Sequence, residues 1–374
     1  MSEKYERRSR AHGARSGSSR HTGHSHGHRH HHHRRGLKHR VKRWWQRHRW
    51  VGAALAILLL AAIAGGVLML NGAKRQDDFQ IASSNQVDVG GGYRQIEYQG
   101  KTYRYNNRIT TILYAGVDSD GALKPTAKYT YAPRADSISL IVLDELHQCM
   151  TVIALNRSTV TPIHRYTLNG RDRGLFDDYL CWAYTYGNGG RVSCTNLCDA
   201  VSRLLFNIPI NGYVISNRAS LPLLADAIGP VRVTAPNDDL SAWGVFKGDT
   251  VEINASNLET FVRTRDIEVD FSNSGRMERQ QAYIEGAMSK LIDLLTNHPA
   301  SAWETLEKAE DSVQTNITRS RYLDLTKVLK RTGYSQGSYY IPEGENVVGP
   351  KFDEFYPDLA ALQAKVIEIF YLEQ

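Results

Sequence analysis

The sequence predicts an α/β fold behind one membrane-spanning helix. Three short apolar runs, each followed by a polar loop, are typical of buried strands whose ends border a ligand crevice: "ITTILYAGVDSDG", "ADSISLIVLDE" and "MTVIALNRST". Segments with a helical spacing of apolar residues follow these runs, and an apolar stretch without charges precedes them. A chain of 374 residues with 41% hydrophobic content can also bury a sizeable core.

The first fifty residues form a basic tail. They contain 15 Lys and Arg against two acidic residues, so their net charge is +13, whereas the whole chain has +7. The rest of the chain is therefore mildly acidic, and the positive total does not indicate nucleic-acid binding. The tail, residues 1–50, holds 11 of the 14 histidines and is predicted to be disordered near anionic lipid, without a fixed metal geometry.

Residues 51–70, "VGAALAILLLAAIAGGVLML", predict a transmembrane helix. At about 1.5 Å per residue this run spans about 30 Å, the thickness of one hydrocarbon core. A cleaved signal peptide is the alternative, but the tail before the run is far longer than a signal n-region. Basic residues at 40–49 precede the span, while the basic pair at 74–75 is offset by the acidic pair at 77–78. The tail is therefore expected in the cytoplasm and the rest of the chain outside the cell.

The outer part is divided into a stalk at 71–92, a main domain at 93–300 and a C-terminal helical extension at 301–374. The Gly-centred segment "RQIEYQGKTYRYN" predicts a β-hairpin, and "GPVRVTAP" predicts a later strand. A helix in "NASNLETFVRTRD" is expected to have Asn254 or Ser256 as its cap. Further helices are predicted at 195–206, 219–228, 275–298, 301–309, 319–332 and 354–372.

All four cysteines, Cys149, Cys181, Cys194 and Cys198, lie in the outer part, where disulfides are permitted. Cys194 and Cys198 are four residues apart in a predicted helix, which is poor geometry for a bond between them. We expect at least one disulfide, with its pairing open. A zinc site is less favoured because the sequence has no paired CxxC spacing.

Charged residues at predicted strand ends form a candidate anion site. Asp118 follows the first strand, Arg134 and Asp136 come before the second, and Arg157 follows the third. Two carboxylates beside several arginines suit a Mg²⁺-bound pyrophosphate, because the metal takes one or two carboxylates plus phosphate oxygens. Arginine binds the remaining oxygens in a planar, bidentate arrangement. A structural or solvated role is the alternative for any one of these residues.

Two helical segments add further polar groups to this candidate site. "FVRTRD" contains Arg263 and Arg265, and "GRMERQQ" contains Arg276 and Gln280. Arg263 and Arg265 are two residues apart, so both reach one anion only if the helix ends there. Arg279 lies about 300° around the helix from Arg276 and is interpreted as structural.

The order of these motifs resembles that of the LytR-CpsA-Psr family of cell-wall phosphotransferases. The resemblance covers roughly residues 109–290, from "ILYAGVDSDG" through "PRADSISLIVLD", "VIALNRST" and "AYTYGNGG" to "FVRTRD" and "GRMERQQ". It implies an α/β/α sandwich with a central mixed sheet and an apolar groove for a polyprenyl chain. It also implies transfer of a glycopolymer, such as teichoic acid, from a polyprenyl-pyrophosphate carrier to peptidoglycan in a Gram-positive envelope.

The resemblance also implies roles for individual residues. Asp118 and Asp136 would hold Mg²⁺, and Asp118 and Arg157 would act in catalysis. The groove is expected between the helices at 195–206, 219–228 and 280–295. The pyrophosphate would be bound by Arg134, Arg157, Arg263, Arg265, Arg276 and Gln280.

The sequence departs from the family pattern at one strand end. The family usually has Pro-Arg-Asp where this chain has Asn156, Arg157 and Ser158, so a carboxylate is missing. Asp118 is then the best candidate for the base that activates the attacking hydroxyl. Two alternatives remain open at this point: a non-catalytic envelope protein that binds polyprenyl phosphate, and transfer to a surface protein instead of peptidoglycan.

Overall fold

The computed structural model describes residues 87–88, 94–265, 272–332, 334, 338–350 and 352–374. The predicted basic tail, the apolar span at 51–70 and most of the stalk lie outside these residues. Within the described part of the chain, no helix is both long enough and apolar enough to cross a membrane.

A six-stranded mixed sheet forms the centre of the fold. Its strand order is β12-β9-β4-β5-β6-β13, where β4 is Ile109–Val117, β5 is Ala135–Asp144, β6 is Cys149–Leu155, β9 is Gly212–Asn217, β12 is Val313–Thr315 and β13 is Tyr339–Tyr340. β4 and β6 are both antiparallel to β5, whereas β9 runs parallel to β4 and β13 runs parallel to β6. The predicted α/β fold with a mixed sheet is confirmed.

Shorter sheets surround this centre. β2 (Arg94–Tyr98) and β3 (Lys101–Tyr105) form the predicted hairpin, whose turn has positive φ angles of 50° at Gln99 and 75° at Gly100. The remaining strands are β1 (Val87–Asp88), β7 (Val160–Tyr166), β8 (Asp172–Tyr179), β10 (Val231–Thr234), β11 (Thr250–Ile253), β14 (Gly344–Val348), β15 (Asp353–Pro357) and β16 (Tyr371–Glu373). β14 pairs with β15, and β16 pairs with β3.

Helices pack on both faces of the central sheet. They are α1 (Trp182–Thr185), α2 (Arg191–Leu204), α3 (Leu221–Ile228), α4 (Leu258–Arg263), α5 (Ser274–Asn297), α6 (Pro299–Lys308), α7 (Arg319–Arg331) and α8 (Leu359–Phe370). Along β5, Ile141 belongs to the core shared with α3 to α7, while Leu140 belongs to the core shared with α1, α2 and α8. This alternation explains why the strand sequence is apolar throughout, since both of its faces are buried.

The C-terminal part differs from the prediction. Residues 301–374 contain strands as well as helices, and β12 and β13 extend the central sheet. The last helix was expected to begin at 354, but residues Asp353–Pro357 form β15 and the helix begins at Leu359. Asp358 is the N-cap, with its side chain accepting hydrogen bonds from the backbone N–H groups of Ala360 and Ala361. Satisfying these groups fixes the helix start after the proline.

The expected cap of α4 is also wrong. The helix begins at Leu258, and its N-cap is Asn257, without a side-chain cap hydrogen bond. Asn254 instead accepts hydrogen bonds from the backbone N–H and hydroxyl of Ser256, which closes a turn ahead of the helix. Asn254 and Ser256 therefore hydrogen-bond to each other, as is common for Ser and Asn in turns, and neither caps α4.

The expected disulfide is absent, since all four cysteines are free thiols. Cys149 begins β6, whereas Cys181 donates its backbone N–H to Arg157, just beyond the other end of that strand. One strand length, about 20 Å, is far beyond the reach of a disulfide. Cys194 and Cys198 lie on α2, are buried, and face the same helix–sheet core.

We predict that the thiols react only after unfolding, apart from Cys149. Burial raises the pKa of Cys181 to about 11 and that of Cys194 to about 12, and it also raises the pKa of Cys198. Thiols that stay protonated at neutral pH are poor nucleophiles. Alkylation without reductant, followed by mass spectrometry, should add four labels in denaturant and at most one to the native chain. Two or fewer labels in denaturant would indicate a disulfide.

Candidate active site

Four strand ends meet at one edge of the central sheet. Val117, at the end of β4, pairs with Ala135 at the start of β5 and with Asn217 at the end of β9. Leu155, at the end of β6, pairs with Ile138. Because β5 runs opposite to its neighbours, its first residues lie beside their last ones. Asp118 directly follows β4, Arg157 lies two residues beyond the end of β6, and Asp136 is the second residue of β5, so all three lie at this edge.

Asp118 lies among three arginines. Nη2 of Arg263 donates a hydrogen bond of 2.9 Å to Oδ1 of Asp118. Nε of Arg218 is 3.7 Å from the same oxygen, and Nη2 of Arg134 is 3.9 Å from Oδ2. Arg218 and Arg263 are also paired on their outer sides, with Asp120 and Glu259 respectively. The Asp118 carboxylate thus contacts arginines from three different segments of the chain.

Asp136 binds a second group of arginines. Nη1 of Arg157 lies 2.7 Å from Oδ1 of Asp136, and Nη1 of Arg276 lies 3.8 Å from Oδ2. Nη2 of Arg276 also donates to the backbone carbonyl of Asp136 at 2.9 Å. Oδ1 of Asp136 is buried, yet its contact with Arg157 lacks hydrogen-bond geometry. A buried carboxylate oxygen in this state favours a further partner that is absent from the bare protein.

Arg265 and Gln280 complete the set predicted from the sequence. Nη2 of Arg265 is 3.8 Å from Oδ1 of Asp353, which belongs to β15. Gln280 on α5 donates from Nε2 to the carbonyl of Val262 and accepts from the Ser137 hydroxyl through Oε1. Gln280 therefore links the end of α4 to the start of β5. Every residue predicted for the site lies at this edge of the sheet.

Burial makes the guanidinium group of Arg276 easier to deprotonate. The side chain is only 5% exposed, and burial lowers its pKa to about 10, an effect reinforced by the nearby charges of Arg157, Arg265 and Arg263 and opposed by Asp136. Arg276 still carries its charge at neutral pH. An anion bound beside it would relieve the repulsion and restore its pKa.

Arg279 has the structural role expected from its position on the helix. Its side chain is 0% exposed and forms an ion pair with Asp239. It also donates hydrogen bonds to the backbone carbonyls of Phe261 and Thr264, on both sides of Arg263. These bonds hold the end of α4 against α5, and thereby fix the segment that carries Arg263 and Arg265.

An apolar groove leads away from the charged edge. It lies between the sheet and α5 and has a cavity volume of about 130 Å³. Asp118, Asp136, Arg263 and Arg276 line one end. Its length is lined by apolar and aromatic side chains: Tyr114, Ile141, Met150, Val152, Tyr283, Ile284, Met288, Leu291, Ile292, Leu295 and Leu329. Such a groove fits a long apolar ligand with an anionic head.

The expected walls of the groove are only partly correct. α5 forms one wall as predicted, and Leu221 of α3 lines the head end. The segment at 195–206 was expected to contribute, but α2 packs on the opposite face of the sheet, against α1 and α8. Leu329 of α7 takes its place at the groove. Apolar periodicity predicts that a helix buries one face, but it does not identify which face of the sheet the helix covers.

Two residues of the site were missed by the sequence analysis. Arg218 lies at the groove head, and the signal was present, because "ISNRAS" repeats the strand-then-Asn-Arg pattern of "ALNRST". Asp353 had no comparable signal, because it lies directly before the segment that was predicted to be the last helix. Its position depends on pairing between β14 and β15 late in the chain.

The residues present fit a divalent metal that shares its coordination with a ligand. Within the described residues there is no group of three or more His, Cys, Asp and Glu side chains that could hold a metal alone. Asp118 and Asp136 are two hard oxygen donors beside a cluster of arginines. This set suits Mg²⁺, which takes one or two carboxylates and completes its shell with phosphate oxygens and water.

Comparison with known proteins identifies the family. The LytR_cpsA_psr family model matches residues 70–343, which is most of the chain. The chain belongs to the LytR_cpsA_psr family. The match includes every strand end and helix that contributes to the charged edge except β15.

Relatives of this LytR_cpsA_psr protein include transferases. The chain is 27% identical over 243 residues to the polyisoprenyl-teichoic acid–peptidoglycan teichoic acid transferase TagU of Bacillus cereus, covering 62% of this chain and 68% of that one. It is 27% identical over 231 residues to the TagU of Enterococcus faecalis, covering 60% and 68%. Both relatives are thus similar to this chain over about three fifths of its length.

Solved structures share the fold. The protein gbs0355 from Streptococcus agalactiae matches with a TM-score of 0.53 at 20% identity, covering 70% of this chain and 87% of that one. TagT of B. subtilis matches with a TM-score of 0.51 at 16% identity, covering 78% and 98%. At this identity the likeness concerns the α/β architecture with its central mixed sheet.

We predict that Arg279→Met lowers the free energy of unfolding by about 3 kcal/mol or more, because it leaves Asp239 without its buried partner. The exposed Arg232 on β10 provides a control, since Arg232→Met should change stability by no more than about 0.5 kcal/mol. Urea denaturation of the full chain measures both. Equal stability of the two variants would show that Arg279 does not hold α4 and α5 together.

Proposed function

We propose that this chain transfers a glycopolymer from a polyprenyl-pyrophosphate carrier to peptidoglycan, forming a phosphodiester linkage. The observation that carries the proposal is the groove, which has arginines at one end and apolar walls along its length. The names of the TagU relatives add the class of polymer, teichoic acid, and the acceptor, peptidoglycan.

The charged end suits a diphosphate. Arg157, Arg263 and Arg276 approach from a strand end, a short helix and a long helix, and their guanidinium groups contact the carboxylates of Asp118 and Asp136. Among the described residues, arginines outnumber the carboxylates there, and this excess of positive charge favours an anionic ligand. Guanidinium groups bind phosphate oxygens in pairs, and partial burial strengthens each contact.

The apolar walls suit the lipid part of the carrier. Side chains from β5 and β6 face those of α5, so an isoprenoid chain would replace water along both sides of the groove. Burial of apolar surface stabilises by about 25 cal/mol per Å². Such binding energy, distant from the reacting atoms, holds the diphosphate at the arginines.

The proposed reaction begins with a hydroxyl of the acceptor sugar. Its oxygen forms a bond to the phosphorus nearest the glycopolymer, the bond from that phosphorus to the bridging oxygen breaks, and polyprenyl phosphate leaves. The hydroxyl proton passes to the carboxylate of Asp118. Arg157 and Arg276 stabilise the negative charge that develops on the phosphate oxygens, which is the main task of a protein in phosphoryl transfer.

Asp118 and Asp136 would hold Mg²⁺ in this proposal. Bound there, the ion would neutralise charge on the diphosphate oxygens. Arg134 and Gln280 would also bind the diphosphate at the head of the groove. Arg265 would contact the diphosphate from the segment that follows α4.

The proposed setting is the outer surface of a Gram-positive cell membrane. A helix at 51–70 would anchor the chain with its basic tail in the cytoplasm and residues 71–374 outside. A polyprenyl carrier resides in the same membrane, so an anchored domain would meet its donor at the lipid surface.

We predict that Arg157→Ala and Asp136→Asn each lower transfer by at least about 100-fold while the domain stays folded, because each removes charge that acts on the reacting phosphate. The assay is transfer from a polyprenyl-pyrophosphate-linked sugar donor by the full chain, with and without Mg²⁺.

Arg232→Ala is the matched control for this experiment and should keep wild-type activity. Full activity in both site variants would contradict the mechanism. A wild-type chain that holds polyprenyl lipid but makes no product would favour the non-catalytic binding protein.

We predict that Ile292→Trp shortens the groove. Ile292 is twelve residues beyond Gln280 on α5, about 18 Å from the head, so a bulky side chain there would meet only the end of a long lipid. Affinity for geranylgeranyl diphosphate should fall at least about tenfold, as expected for overpacking, while geranyl diphosphate binds as before. Calorimetry measures both, and the exposed neighbour substitution Asp293→Trp should alter neither. Equal losses for the two lipids would contradict this orientation.

A further inference from the structure

The hairpin formed by β14 and β15 is joined to the strand end that carries Arg157. The backbone N–H of Phe355 donates a hydrogen bond of 3.0 Å to the carbonyl of Ser158, and Thr159 forms a parallel bridge with Phe355. Residues almost two hundred positions apart in sequence are therefore fixed side by side. The hairpin is thus attached directly to the segment that follows Arg157.

This joint places the Asp353 carboxylate among the site residues. The Ser158 hydroxyl donates a hydrogen bond of 2.7 Å to Oδ2 of Asp353, and Nη2 of Arg265 lies 3.8 Å from Oδ1. The Asp353 side chain is only 14% exposed, and Ser158 is buried. A carboxylate anchored through one oxygen presents the other in a defined direction.

Arg265 depends on its surroundings for its orientation. It lies two residues beyond the last residue of α4, so the helix does not continue through it. Its charge acts on Arg276 along with those of Arg157 and Arg263, and these cations repel one another. The Asp353 carboxylate, which Ser158 holds beside the strand end that carries Arg157, offsets this repulsion. At 3.8 Å the pair is longer than a hydrogen bond, so Asp353 attracts the guanidinium without forming that bond.

Ser158 and Asp353 divide one task between two residues. Ser158 follows Arg157 directly and contributes a hydroxyl group at the strand end. This hydroxyl is uncharged. Asp353 brings the charge from the C-terminal hairpin to within hydrogen-bond distance of that hydroxyl. Together they place a negative charge beside the arginines at the end of β6.

We propose that Asp353 is a positioning residue of the transfer site, which holds Arg265 toward the diphosphate and is itself oriented by Ser158. This inference rests on the proposed function, because it assigns Arg265 to the diphosphate. It makes Asp353 the one residue through which the β14–β15 hairpin acts on donor binding.

The test moves the carboxylate from one residue to the other. Asp353→Ser should lower kcat/KM for the lipid-linked donor at least tenfold, mainly through a higher KM. The double variant Ser158→Asp with Asp353→Ser returns a carboxylate to the same place from the opposite side and should recover most of that loss. Initial rates are measured on the full chain, with thermal unfolding of each variant.

Glu354 provides the matched control. It is the next residue on β15, but its carboxylate accepts hydrogen bonds from the hydroxyl groups of Tyr179 and Tyr356. Glu354→Gln should leave kcat/KM within twofold of the wild type. A role in stability alone would lower the melting temperature of Asp353→Ser without recovery of KM in the double variant.

The outcomes separate this inference from the proposed function. An active wild type with unchanged KM in Asp353→Ser would overturn the inference and leave the function intact. Failure of the double variant to recover KM would also overturn it. A wild type without transfer would overturn the proposed function; affinities of the same variants for geranylgeranyl diphosphate then decide whether Asp353 positions an anion-binding arginine.

Discussion

Repulsion between arginines at one edge of the central sheet is the constraint on which the site depends. Arg157, Arg263 and Arg276 arrive from separate elements and contact the carboxylates of Asp118 and Asp136. Arg279 donates hydrogen bonds to backbone carbonyls at the end of α4. These bonds keep the segment that follows α4 next to the arginines of the site. The protein therefore holds positive charge in fixed positions before a ligand binds. An anion bound there would relieve the repulsion between the arginines, which favours its binding.

The two faces of the sheet serve different purposes. α1, α2 and α8 close one face with a continuous core. On the other face, small residues of β4 and β5 such as Gly116, Ser137 and Ser139 line the space beneath α5. Small side chains there leave the groove open, whereas larger ones would fill it with core. The fully packed core on the closed face stabilises the fold. It compensates for the looser packing on the face that carries the groove.

Much of the fold could be predicted because its strands are buried on both faces and read as continuous apolar runs. Asp118, Asp136 and Arg157 could be predicted as neighbours because each adjoins a strand end, and strand ends meet. Arg218 obeys the same rule and was overlooked. Asp353 was not predictable in this way, since its place depends on a hairpin whose residues pair with a strand end far away in sequence. The face covered by α2 was likewise set by packing, which periodicity does not encode.

The late position of Asp353 has a consequence for how the protein is made. The sheet strands β4, β5, β6 and β9 and the groove helix α5 are all synthesised before residue 300. A nascent chain can thus assemble the lipid groove and most of the arginines while the hairpin is still inside the ribosome. The last carboxylate joins only when that hairpin docks against Ser158. Biosynthesis would then pass through a form that binds a lipid anion loosely before it becomes the finished protein.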